Sequence, residues 1–256
     1  MCMFSQPVVS VSQTNIFARM GPSGRQFLVY SLSFEAKKDL AMILPLPVKT
    51  PAGENDVEFT NLKEYREFFS DLDRGFPANN LCDESNGIPT VAGAGLETLK
   101  VVSVGDFEAS FVPRLEDFPR LDPRFRLPDK TWKALPRYRQ YGFAVFKLKP
   151  GEPGVSTIHP MAFSFPSQDN QTVFCPTVHV HDGKVHGRAH FDHALYCQPS
   201  DEGYPVVNSW KESSGHPSGF MQVEKTKGII LSDQHCYKKE MRGSFKNQDV
   251  VLRLNV

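Results

Sequence analysis

The sequence predicts a mainly β, α+β fold: antiparallel sheets, packed as a two-sheet sandwich, with one main helix near residues 61–74. Three observations predict it. Short runs rich in Val, Ile, Phe and Tyr recur between Gly/Pro turns. Only one stretch carries sustained helical spacing. No linker stands out, so residues 1–256 are expected to form a single compact domain.

Taken in order, Val8 to Phe34 alternates apolar and polar residues around Gly21-Pro-Ser-Gly24, the pattern of an opening hairpin. Leu40 to Val48 is apolar enough to be a buried strand, and Pro45 and Pro47 remove ladder donors that would end or edge it. Asn61-Leu-Lys-Glu64 resembles a capping box, after which Leu62, Tyr65, Phe68, Phe69 and Leu72 fall on one helical face before Gly75. That aromatic stripe is expected to be core packing. Residues 76–98 read as a loop: Ala92-Gly-Ala-Gly95 lacks the pattern of a phosphate loop. Strand patterning returns from Leu99 to Val112.

Arg114 to Lys149 carries ten basic against four acidic residues, interleaved with aromatic rings. Such a mixture can hold a nucleic-acid backbone while stacking bases. The preferred reading is a connector, because Pro119, Pro123, Pro128 and Pro136 interrupt any helix and the whole chain is neutral, with 29 basic and 29 acidic residues. Gly142–Leu148 is a strand, with Met161–Phe165 expected as its neighbour after a turn at 150–154. Gln198 to Gly219 is turn-rich, and strands are expected near Gly228–Ser232 and Val250–Leu254.

Five of the eight histidines lie between Phe174 and Cys197. Asp182-Gly183 suits a two-residue type I′ turn, which predicts a hairpin pairing His181 with Lys184, Val180 with Val185 and His179 with His186. His179, His181 and His186 would then share a face. Opposed Cβ atoms sit about 4.5–5.5 Å apart, so these imidazoles could converge on a divalent cation, zinc or iron. His190 is the candidate fourth ligand. Asp192 and His193 are candidate proton relays to a metal-activated water, and Cys175 and Cys197 are alternative thiolate ligands. The competing reading is a His-rich polar face, or imidazoles satisfied within a packed loop.

The order Met1-Cys-Met-Phe, Ile16-Phe-Ala-Arg19, Ile43-Leu-Pro-Leu-Pro47, Tyr141-Gly-Phe-Ala-Val-Phe146 and His159-Pro-Met-Ala162 resembles a bacterial domain family of unknown function. The resemblance spans about residues 1–178. It implies an early Cys ahead of a hairpin and a Leu-Pro-x-Pro strand end, and it supplies no activity.

Three functions follow as expectations. The first is a metal-binding protein or metalloenzyme built on the histidine hairpin. The second is an N-terminal cysteine hydrolase, in which removal of Met1 would join the Cys2 thiol to a local α-amine. The third is a non-catalytic β-rich binding module. A small molecule or a peptide fits as partner, whereas the neutral charge argues against nucleic acid. No window approaches the about 20 apolar residues of a membrane span. Five cysteines without a CxxC pair suit a reducing, cytoplasmic setting.

Overall fold

The computed structural model describes residues 3–77, 99, 101–105, 107–149, 156–157, 159–201 and 203–255. In chain order these form β1 (Met3–Phe4), β2 (Ser10–Met20), β3 (Arg25–Glu35), β4 (Leu40–Leu46), β5 (Glu58–Asn61), α1 (Phe68–Arg74), β6 (Val101–Val104), β7 (Phe107–Val112) and α2 (Asp129–Lys133). They continue as β8 (Gly142–Leu148), β9 (Ser156–Thr157), β10 (Met161–Pro166), β11 (Thr172–Cys175), β12 (Arg188–Cys197), β13 (Tyr204–Pro205), β14 (Lys211–Glu212), β15 (Tyr237–Lys246) and β16 (Val250–Asn255).

The fold is mainly β, as the strand patterning predicts. A five-stranded sheet in the order β1-β4-β8-β7-β6 faces an eight-stranded sheet whose main path is β14-β15-β12-β2-β3-β10-β5, with β9 beside β3. A third sheet, β11-β16-β13, joins them. Among the described strands, the ladders are antiparallel except between β12 and β2, which run parallel with His193 opposite Thr14 and Cys197 opposite Ala18.

Period-two alternation explains the layers. Leu40, Met42, Leu44 and Leu46 of β4, with Ala144 and Phe146 of β8, point at Ile16, Leu28, Tyr30, Phe163 and Leu195 of the larger sheet, forming the main core. The intervening residues face outward and are covered. Ile43, Phe143 and Val145 lie beneath Phe118, Phe125, Leu135 and Tyr138 of the proline-rich connector. On the far side, Phe17, Val29, Ala162 and Tyr196 are covered by α1 and by Met221, Ile229 and Ile230. Strands buried on both faces read as continuous apolar runs, which is why β4 is buried throughout.

Several expectations change. The helix begins at Phe68, because Asn61 ends β5 opposite Met161 and its carboxamide Oδ1 accepts from Lys63 N, so no capping box forms. Leu99–Val112 supplies two strands that reverse at Gly105, whose φ of +62° suits glycine. β10 does not neighbour β8; it pairs with β3 and β5 in the other sheet. Gly228–Ser232 is not a strand. The Arg19 guanidinium instead donates to the carbonyl oxygens of Gly228 and Ile229, at 2.8 and 2.9 Å. The loop at 78–98, including Ala92–Gly95, and the turn at 150–154 lie outside the described residues.

Candidate functional site

The segment 176–187 is not a hairpin. Only Val180 makes a bridge, parallel to Met3, and Phe4 N donates to Val180 O at 3.0 Å. At the intended turn Gly183 has a φ of +75° but Asp182 does not have positive φ, so the type I′ geometry is not formed. What joins the two arms is a side chain. Asn247 Nδ2 donates to both His179 O and His186 O at 2.9 Å, while Asn247 Oδ1 accepts from His179 N at 2.7 Å. The neighbouring Asp249 turns its carboxylate inward: Oδ1 accepts from Thr177 N and Val178 N, and Oδ2 from Tyr138 Oη at 2.6 Å. Burial holds the Asp249 carboxyl above its usual range. The β15–β16 turn thus does for this loop what a strand ladder does elsewhere.

This arrangement regroups the histidines. His179, His181 and His193 come together, with His179 in the middle and 5.2 Å between ring centroids on each side; interplanar angles are 14° and 16°. Phe191 lies 4.2 Å from His179, and Phe4 packs edge-on at 5.5 Å from His181. Burial is the main cause that lowers the imidazole pKa values, to about 2 for His179, to about 4 for His181, and well below normal for His193. The three rings are therefore neutral at physiological pH. Among the described residues, Nε2 of His179 and of His181 has no hydrogen-bond partner.

His186 and His190 are elsewhere. His186 is exposed, with Nε2 3.0 Å from Asp182 Oδ2, and His190 is exposed on β12. The metal site predicted from His179, His181, His186 and His190 is overturned: the stacked rings present faces to one another, and the other two histidines sit outside the stack. Among the described residues no group of three or more His, Cys, Asp or Glu side chains is placed to hold a metal ion.

The predicted relay fails for a related reason. Successive strand residues face opposite ways, so Asp192 and His193 point to different sides of β12. Asp192 Oδ2 accepts from Gln13 N at 3.0 Å and Oδ1 lies 3.5 Å from Arg242 Nη1, a role in joining strands. Cys175, Cys197 and Cys236 are buried thiols. Burial pushes Cys175 and Cys236 up to about 12 and raises Cys197 well above normal, which keeps all three from being thiolates. Cys2 lies outside the described residues. Two cavities, of about 290 and 300 Å³, are lined by Ser200, Asp201, Tyr204 and Gln234, and by Phe76, Lys211, Lys238 and Glu240. Neither is lined by a His or Cys among the described residues.

No family model matches the chain. No curated protein matches it either. Among solved structures, it is similar over 99% of its length to baculovirus P35, covering 99% of that chain at 15% identity with a TM-score of 0.50. A mutated baculovirus P35 after caspase cleavage matches at 15% identity over 95% of this chain and 100% of its own, with a TM-score of 0.48. P35 in the caspase-8/P35 complex matches at 13% identity over 95% and 96%, with a TM-score of 0.44. These neighbours are baculoviral, not members of the bacterial family that the sequence motifs resemble. The likeness to free P35 is one of fold, and it extends from end to end.

Proposed function

We propose that this chain is a protein-binding module directed at a cysteine protease of the caspase class, rather than a metal-dependent enzyme. The observation that carries the reading is the end-to-end likeness of fold to baculovirus P35. A mutated P35 is known after caspase cleavage, and P35 is known in complex with caspase-8. The described thiols and the stacked imidazoles support the same direction: they are buried, the imidazoles neutral and the thiols protonated, as suits a packed scaffold. A layered β scaffold with rigid cores suits recognition through its surface and loops. No described helix is long and apolar enough to cross a membrane. We place the protein in a reducing compartment, where its buried thiols stay unpaired.

The test is to titrate active caspase-8 with the purified chain and follow hydrolysis of a fluorogenic peptide, with intact-mass analysis of the chain at each point. The expected result is loss of protease activity near equimolar chain, accompanied by a complex on gel filtration. Full protease activity at large excess, with no complex, would refute the reading.

A further inference from the structure

The chain is neutral, yet its charges are unevenly placed. Thr131 Oγ1 of α2 donates to Gly183 O at 2.8 Å, and Arg137 Nη2 lies 3.5 Å from Asn247 O. In the β12–β15 ladder Arg188 is opposite Lys246. These contacts gather Lys130, Lys133, Arg137, Lys184, Arg188 and Lys246 at one end of the molecule, all exposed. Exposed carboxylates there are Asp129 and Asp182, the latter already facing His186. Asp249 is turned inward onto Tyr138, Thr177 and Val178.

Elsewhere, cations are commonly neutralised locally: Arg120 by Glu54 and Asp117, Arg124 by Asp122, Lys147 by Glu108, Lys238 by Asp73 and Glu240. Among the described residues, none of the six cations at this end forms an ion pair with a carboxylate. Arg137 lies over the Tyr138 ring and Arg188 donates to Ser244 O at 2.7 Å, so both guanidinium groups are held in place at the rim.

We propose that this basic end is a docking surface for an acidic, extended segment of a partner protein. A local surplus of cations in a neutral molecule attracts carboxylates and orients their approach. Two features favour protein over nucleic acid. The aromatic residues between the cations are engaged in packing: half-buried Trp132 packs on Phe118 and Phe143, and Tyr138 is buried with its hydroxyl on Asp249, which leaves no open ring face between the cations for bases to stack on. The helix at the surface, α2, has five residues, which is too short to fill a major groove. The inference rests on these charges alone and is independent of the protease reading.

Fluorescence anisotropy of a labelled poly-glutamate peptide, with the intact chain and no protease, tests it. The peptide is expected to bind, with affinity that falls as salt is added. The variant Lys130→Glu/Lys133→Glu/Lys246→Glu should weaken binding about tenfold or more. Lys→Gln at the same three positions should weaken it less. A control with the same charge change at exposed Lys37, Lys38 and Lys225 should bind as the parent does. Circular dichroism verifies that each variant is folded, and the Gln set serves if the Glu set is not. Absence of binding, equal loss in the control, or tighter binding to duplex DNA than to the peptide would overturn the proposal.

Discussion

His179, His181 and His193 form a stack that the fold tolerates only while the rings are neutral. Their folded pKa values lie below the unfolded value of about 6.5, so the unfolded chain binds more protons as pH falls. Stability is complete above about pH 6.5 and declines below it, by about 2 kcal/mol per neutral imidazole between about pH 7.5 and pH 5. Urea titrations at the two pH values check this. Replacing His181 with Leu removes a buried nitrogen that has no partner among the described residues and one of the three titrating groups. The variant should lose about 2 kcal/mol less than the parent on acidification; an unchanged pH dependence would mean that His181 accepts a proton freely in the fold. The residue types were legible in the sequence, but their grouping was not. His193 joins the stack because β12 pairs with β15, whose following turn carries the Asn247 that holds His179 in place, and no local spacing reports that.

At the scale of elements, the loop 176–187 is held by one turn of another hairpin. Asn247→Ala would strip three hydrogen bonds from the backbones of His179 and His186. The expected cost is about 3 kcal/mol, with faster hydrogen exchange confined to residues 177–187 and the β15–β16 turn. Exchange that rises uniformly across both main sheets would count against a local clamp. This also explains which elements could be read from sequence. β2, β3, β4, β8 and β16 announce themselves through apolar runs between turn residues, and the proline-punctuated connector does so by what it cannot form. The alternating pattern around Asp182-Gly183 suits a ladder that does not form, because Asn247, more than sixty positions away, supplies the bonds instead. β15 is hidden for another reason: its Lys, Glu and Arg residues lie at the margin of the sheet and bury little apolar surface.

At the scale of the whole molecule, the two large sheets meet through aromatic rings. Phe146 of β8 and Phe163 of β10 are fully buried with centroids 5.7 Å apart, and Phe59 lies against both. Either Phe→Ala change should cost about 3–5 kcal/mol in urea denaturation. The double variant should cost about 1 kcal/mol less than the two separate losses together, because the rings share one contact. Strict additivity would show that the sheets do not communicate through this pair. The layered β architecture was legible from alternation, yet the partners of each strand were settled by matches between distant segments. One such match bears on how the chain reaches its native state. β2 must keep one flank open until β12, about 180 residues downstream, arrives to lie parallel to it. During synthesis the opening hairpin therefore waits with an unfilled edge while most of the polypeptide emerges. Late closure of this kind makes assembly slow and exposes the nascent chain to aggregation, so production yield should depend on the rate of translation and on chaperone supply more than on the strength of any single contact.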